Sequence, residues 1–292
     1  MENKKQGGFY SIWSGAILLS LVLVIFSLIF ASCVGGGEVN TTDNPTSNVT
    51  DTPQDDGQSS VPASTGEGDG NSVIYQEPED NSTSEPEPAE TLLAETEDMG
   101  QSYIDSMVFL GDSTTHGLAA YGVVNNNQVW TPESGTLTLD HWSYTAIVYP
   151  DTGEEMFITD AVALKKPEYL VITLGINGVS FMQQDYFIST YTELVKAVQE
   201  ASPDTKIILN SIYPVAASYA NLDSINNEKI DAANEWVFQV AENTGVRYLD
   251  SCSVLKGEDG YMPESYQNGD GLHPTGEAYG YVIDYIRTHG YK

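Results

Sequence analysis

Over the last two thirds of the chain, short apolar runs alternate with longer stretches in which apolar residues recur every three or four positions. The runs at 107–110, 145–149, 169–174, 206–210 and 246–249 are rich in β-branched and aromatic residues, and their length suits strands rather than helices. In the third and fourth, apolar side chains follow one another without alternation. That pattern belongs to strands covered on both faces, as in a parallel sheet between two layers of helices. Helical spacing marks 185–201, where Phe187, Ile188, Tyr191, Leu194, Val195 and Val198 form one stripe. It recurs over 224–244, with Ile230, Ala233, Val237, Val240 and Ala241 on one face and Gly245 as the natural stop. A last helix is predicted over 275–289, and a shorter one over 156–166, closed by Pro167. This alternation predicts a three-layer α/β domain with a mainly parallel five-stranded sheet. In such sheets the chemistry lies beyond the carboxyl ends of the strands.

The N-terminal third has a different texture. Residues 12–34 are Ile, Leu, Val, Phe and Trp diluted only by Ser, Gly, Ala and Cys33, with no charge between Lys5 and Glu38. As a helix this stretch is about 35 Å long at ~1.5 Å per residue, enough to cross a ~30 Å hydrocarbon core. Basic residues precede it and acidic ones follow, so a single-pass anchor with the bulk of the chain outside the cytoplasm is expected. Two alternatives export the chain equally: a cleaved signal segment, and a lipoprotein joined through Cys33, since Phe30-Ala31-Ser32-Cys33 resembles a bacterial lipobox. Residues 35–100 hold 16 acidic side chains, no basic ones, 16 Ser or Thr and six Pro. So few apolar groups cannot offset the entropy of ordering the backbone, and an extended, disordered spacer is predicted. The chain thus divides into a membrane anchor or signal segment at 1–34, a linker at 35–100 and a folded domain at 101–292.

Charge and cysteine usage narrow the function. Forty-two acidic residues against 11 basic ones leave a net charge of −31, which repels phosphate backbones and excludes nucleic acid as a partner. The only cysteines are Cys33 and Cys252, so neither a disulfide framework nor a four-cysteine zinc site can be built. Cys252 is expected to be a small buried side chain.

Three short motifs sit where the predicted strands end. The first strand runs into Gly111-Asp112-Ser113, in which a glycine permits a tight turn and a hydroxyl follows at the mouth of the sheet. The 169–174 strand runs into Gly175-Ile176-Asn177-Gly178, where an amide is placed to donate to a developing oxyanion or simply to turn the chain. Before the last helix comes Asp270-Gly271-Leu272-His273-Pro274. A serine hydroxyl needs a base, histidine is suited to that task, and a carboxylate three residues earlier can fix its tautomer.

Taken together these motifs resemble the SGNH/GDSL hydrolase family over about residues 105–288. Gly111-Asp112-Ser113 looks like its nucleophile block, Gly175-Ile176-Asn177 like its third block, and Asp270 to Pro274 like its fourth. Gly178 stands where the family usually has Asp, and the second-block glycine is not obvious; Gly153, after the second predicted strand, is the nominee. The resemblance implies a flavodoxin-like sheet of strand order 2-1-3-4-5. It also implies a catalytic triad of Ser113, His273 and Asp270, with Ser113, Asn177 and Gly153 forming the oxyanion hole, and neither metal nor cofactor. The expected reaction is hydrolysis of small acyl esters, acetyl foremost, on a cell-surface polysaccharide. The alternatives are a lipase or lysophospholipase acting on lipid esters, an acyltransferase, and a non-catalytic surface-binding module. Tyr121, Trp130, Trp142 and Tyr144 either stack against sugars or pack the 117–144 excursion onto the sheet, and His116 is expected on the surface.

Overall fold

The computed structural model describes residues 91–292. The predicted anchor at 12–34, lipid attachment at Cys33 and the linker up to residue 90 lie outside the described residues. Among the described residues no helix is long and apolar enough to cross a membrane.

Five strands form one sheet: β1 (Met107–Gly111), β2 (Val129–Trp130), β5 (Tyr169–Thr173), β6 (Lys206–Asn210) and β7 (Arg247–Leu249), in spatial order β2-β1-β5-β6-β7. Every pairing within it is parallel. Counted along the chain this is the 2-1-3-4-5 order, but its second strand is not the predicted one. Residues 145–149 instead contribute β3 (Ala146–Tyr149), which pairs antiparallel with β4 (Glu154–Phe157) in a hairpin beside the sheet. The polar turn at 150–153 folds the chain straight back, so β3 finds its partner locally. The hairpin is joined to the sheet edge by the Val148 N–H, which donates to the Thr131 carbonyl at 2.9 Å. The helix expected from 156 accordingly begins only after β4, as α3 (Ile158–Lys165).

Alternate residues of each central strand feed two cores, which is why the sequence runs are apolar without a break. Val108, Leu110, Leu170, Ile172, Ile207 and Leu209 pack with α3, α4 (Gln184–Ala201) and α5 (Asn227–Thr244). Met107, Phe109, Val171 and Ile208 pack with α1 (Gln101–Asp105), α2 (Ser113–Ala120) and α6 (Gly276–Arg287) on the other face. Each buried Leu, Ile or Val contributes roughly 1.5–3 kcal/mol of transfer free energy.

The folded region starts before residue 101. Leu92 forms a parallel bridge with Tyr248, the Leu93 N–H donates to the Tyr248 carbonyl at 2.9 Å, and the Leu93 side chain is buried. Further on, the Met99 N–H donates to the Arg287 carbonyl, and Asp98 pairs with the Arg287 guanidinium. The segment covers the open edge of β7, which would otherwise expose unpaired backbone groups.

Candidate active site

At the carboxyl end of β1 the chain must turn abruptly while lying against β5. A Cβ on Gly111 would sit 2.5 Å from the Thr173 carbonyl oxygen and 2.0 Å from Thr115 Oγ1, so only glycine fits. Asp112 then caps α2. Its carboxylate accepts from the Thr114 N–H at 3.0 Å and the Thr114 hydroxyl at 2.8 Å. Ser113 is therefore the first residue of the helix; its N–H has no intrahelical acceptor and lies at the positive end of the helix dipole. Tyr279 of α6 anchors this turn from behind, donating its hydroxyl to the Thr114 carbonyl at 2.5 Å.

The loop before α6 is shaped by its own polar side chains. Asp270 Oδ1 accepts the N–H groups of Leu272 (2.8 Å) and His273 (2.9 Å), and Gln267 Oε1 accepts those of Gly269 and Gly271. Gly271, at φ +79°, lies so close to Tyr219 that a Cβ would approach its Cα to 2.6 Å. The Gly271 carbonyl takes the Ala216 N–H at 2.8 Å, so the 211–223 loop supports this one.

The two motifs meet. His273 Nδ1 is 2.7 Å from Asp270 Oδ2, and His273 Nε2 is 2.8 Å from Ser113 Oγ. A carboxylate on Nδ1 holds the proton there and leaves the Nε2 lone pair facing the hydroxyl. Burial works to raise the pKa of Asp270. Hydrogen bonds from the His273 N–H and imidazole and from the Leu272 N–H outweigh it, and the carboxyl is held below its usual range. Asp270 thus stays an anion, the form an orienting partner requires.

Asn177 comes to the same place from β5. Its Nδ2 lies 3.3 Å from Asp112 Oδ2 and 3.2 Å from the Leu137 carbonyl. Both contacts are at or beyond the long end for N–H···O bonds, so a hydrogen can be shared with a third acceptor at small cost. Asp112 joins the helix cap to this amide, and burial pushes its pKa up to about 6, against the opposing effect of the Thr114 hydrogen bonds.

Gly153 does not join them. It lies in the exposed β3–β4 turn, where its N–H donates to the Tyr149 carbonyl at 2.8 Å. The glycine beside the nucleophile is Gly135, whose Cβ position would be 3.8 Å from Ser113 Cβ. It follows the true second strand, in Ser134-Gly135-Thr136, and its N–H donates to the Pro132 carbonyl at 2.9 Å. A two-residue β2 carries no periodicity in the sequence, so the position of this glycine just beyond a strand is not visible there.

Of the other residues weighed, His116 is exposed on α2, Trp130 is fully buried and Trp142 packs against the core. Cys252 is buried, and burial pushes its thiol up to about 12. Among the described residues no group of three or more His, Cys, Asp or Glu side chains is arranged to hold a metal.

Residues 109–281, more than half the chain, match the model of the GDSL-like lipase/acylhydrolase family. The chain belongs to this family, and it is a carboxylic ester hydrolase. Among solved structures it is similar to a GDSL-like lipase from Bacteroides thetaiotaomicron, with 20% identity over 61% of this chain and 83% of that one and a TM-score of 0.44. It is also similar to a carbohydrate esterase family 3 protein from Talaromyces cellulolyticus, with 18% identity, coverages of 62% and 93%, and a TM-score of 0.41. A third is an acetyl-xylooligosaccharide esterase from Geobacillus, with 18% identity, coverages of 64% and 94%, and a TM-score of 0.40. No curated protein matches the chain.

Proposed function

We propose that this hydrolase removes small acyl groups, acetyl foremost, from a neutral polysaccharide outside the cytoplasm, where residues 12–34 hold it at the membrane. The observation that carries the chemistry is the unbroken chain from Ser113 Oγ through His273 to Asp270, with links of 2.8 and 2.7 Å. Ser113 Oγ attacks the acyl carbonyl carbon as His273 Nε2 takes its proton, and the carbonyl π pair moves onto oxygen. The Ser113 N–H and the Asn177 amide stabilise that oxyanion. Collapse of the intermediate breaks the bond to the leaving alcohol, which receives the proton from His273. Water, deprotonated by the same imidazole, then hydrolyses the acyl-enzyme and restores Ser113.

The small-acyl preference is supported by the openness of the relay: the side chains of His273 and Asp270 are 28% and 47% exposed. A long alkyl chain gains from leaving water only where apolar walls enclose it, and these groups are bordered by polar loop. The test is kcat/KM on p-nitrophenyl acetate against the butyrate, octanoate and palmitate esters, with fluorophosphonate labelling to identify the nucleophile. Acetate should lead the series, Ser113→Ala should abolish labelling, and Ser113→Ala and His273→Ala should each remove nearly all turnover. A series rising toward palmitate would overturn the substrate class, and labelling elsewhere would overturn the nucleophile.

A further inference from the structure

We infer that Asp112 is a positioning residue for the oxyanion donor: its buried carboxylate holds the Asn177 side chain with the amide nitrogen, not the oxygen, at the Gly111–Ser113 turn. This rests on the oxyanion role given to Asn177 above. The two ends of a carboxamide are almost the same size, so shape does not decide which end faces a site; hydrogen-bonding partners do. Asn177 Nδ2 lies 3.3 Å from Asp112 Oδ2 and 3.2 Å from the Leu137 carbonyl. The carbonyl has no hydrogen to give, and neither has the carboxylate while it is ionised. An amide turned through 180° would set its own oxygen against both acceptors, one of them fully charged.

The carboxylate is itself fixed. Oδ1 takes the Thr114 N–H at 3.0 Å and the Thr114 hydroxyl at 2.8 Å, which leaves Oδ2 for Asn177. Asp112 and Thr114 are both buried, so water does not compete for these contacts. Burial raises the Asp112 pKa to about 6, and at pH 7.5 the group is still an anion. Helix capping does not require this arrangement. Serine or asparagine caps a helix as well as aspartate does, and Oδ1 alone makes both contacts to Thr114. A second oxygen, buried and charged at a cost, is what reaches the amide of β5's following loop.

Asp112 acts on the reaction in two opposite directions. A fixed amide donor favours the tetrahedral oxyanion, whereas a nearby anion disfavours it by repulsion. For a positioning carboxylate the first effect exceeds the second, and neutralising it lowers kcat. The Leu137 carbonyl still prefers the nitrogen when the charge is gone, so the loss stays below that of removing the amide itself.

The test uses the purified full chain on p-nitrophenyl acetate at pH 7.5, with kcat referred to the sites titrated by a fluorophosphonate so that an unfolded fraction is not counted. The variants are Asp112→Asn, Asp112→Ser, Asn177→Ala and the double variant Asp112→Asn with Asn177→Ala. Asparagine at 112 still caps α2 but can donate to the Asn177 oxygen, so it no longer selects the nitrogen; serine caps the helix and is too short to reach Asn177. Each is expected to lower kcat roughly tenfold to a hundredfold, the worth of one charged hydrogen bond, with KM little changed. Once Asn177 is alanine, Asp112→Asn is expected to lower kcat by about twofold at most, because the group it acts through is gone. An equal loss in both backgrounds assigns Asp112 to the helix cap alone and overturns the positioning role. Unchanged or raised kcat in Asp112→Asn and Asp112→Ser overturns it too. Undiminished kcat in Asn177→Ala overturns the oxyanion reading itself, an outcome read from that single variant and so distinct from the other two.

Discussion

Replacing Asp112 by Asn tests how the nucleophile turn is wired. The carboxylate is almost wholly buried, accepts two hydrogen bonds from Thr114 and one from Asn177, and has a pKa pushed up to about 6 from 3.8 because burial penalises its charge. A carboxyl raised in this way binds its proton more tightly in the folded chain than in the unfolded one. Between about pH 4 and 6 the folded state therefore holds the extra proton, and stability falls as pH rises through that window. A shift of about two units corresponds to about 3 kcal/mol, or roughly 6–12 °C in Tm for a domain of this size. Above pH 6 the wild type carries this full cost, which Asn cannot carry because it does not ionise.

Other carboxyls act in the opposite sense. Asp98, Asp151, Glu264 and Asp270 are held below their ordinary values, so their contributions are present above that range and are lost as pH falls. They are common to both proteins and cancel in the difference. Urea unfolding at half-unit steps from pH 4 to 7.5, for wild type and Asp112→Asn, gives that difference directly. Wild type should lose about 3 kcal/mol relative to the variant across the range, whatever constant offset the exchanged hydrogen bonds add. A difference flat with pH would refute the reasoning, for it would mean that Asp112 ionises as it does in the unfolded chain.

Asn177→Ala should lower kcat on p-nitrophenyl acetate by roughly 10²–10³ with little change in KM, as loss of an oxyanion donor does; undiminished kcat would remove it from the site. Gly271→Ala would drive a Cβ into the Tyr219 backbone at a positive φ, so a stability loss of about 1–3 kcal/mol and a fall in kcat are expected, read by thermal unfolding and steady-state kinetics. Leu93→Ala should cost about 2–5 kcal/mol if 91–100 belongs to the folded domain, whereas an unchanged Tm would return the segment to the linker. Dialysis against EDTA should leave kcat unaltered, because the serine relay needs no Lewis acid; loss of turnover restored by zinc or manganese would require a different mechanism.

What the sequence made legible follows from where each signal resides. β5 and β6 were readable because buried parallel strands leave continuous apolar runs, and α4 and α5 because their stripes recur over 18 residues each. β2 was not, being two residues long and followed closely by Pro132, too short for any periodicity to register. Its place was given to 145–149, whose alternating burial belongs to a hairpin. The start of the domain was obscured in a similar way: the composition of 35–100 is dominated by acidic and small polar residues, and Leu92 and Leu93 vanish in that average although they are what seals the β7 edge.

In the site, legibility depended on whether a residue's chemistry or its neighbourhood identifies it. Ser113, Asp270 and His273 carry side chains whose types and spacing suggest a relay, and the structure brings those three together. A backbone donor has no such signature, since its N–H is the same in every residue, and Gly153 was nominated only because it followed a strand. With β2 at Val129–Trp130 that support falls away; the glycine near Ser113 is Gly135, but its N–H is engaged with the Pro132 carbonyl. Asp112 shows the intermediate case. Its place in Gly-Asp-Ser reads as a turn residue, yet its weight comes from contacts 65 residues away along the chain, with Asn177, which only the meeting of β1 and β5 creates. The same meeting puts the Thr114 cap hydrogen bonds and the Asn177 amide on one buried carboxylate, next in sequence to Ser113. A perturbation at Asp112 should therefore reach catalysis through Asn177 and stability through Thr114, two effects that a surface turn residue could not couple.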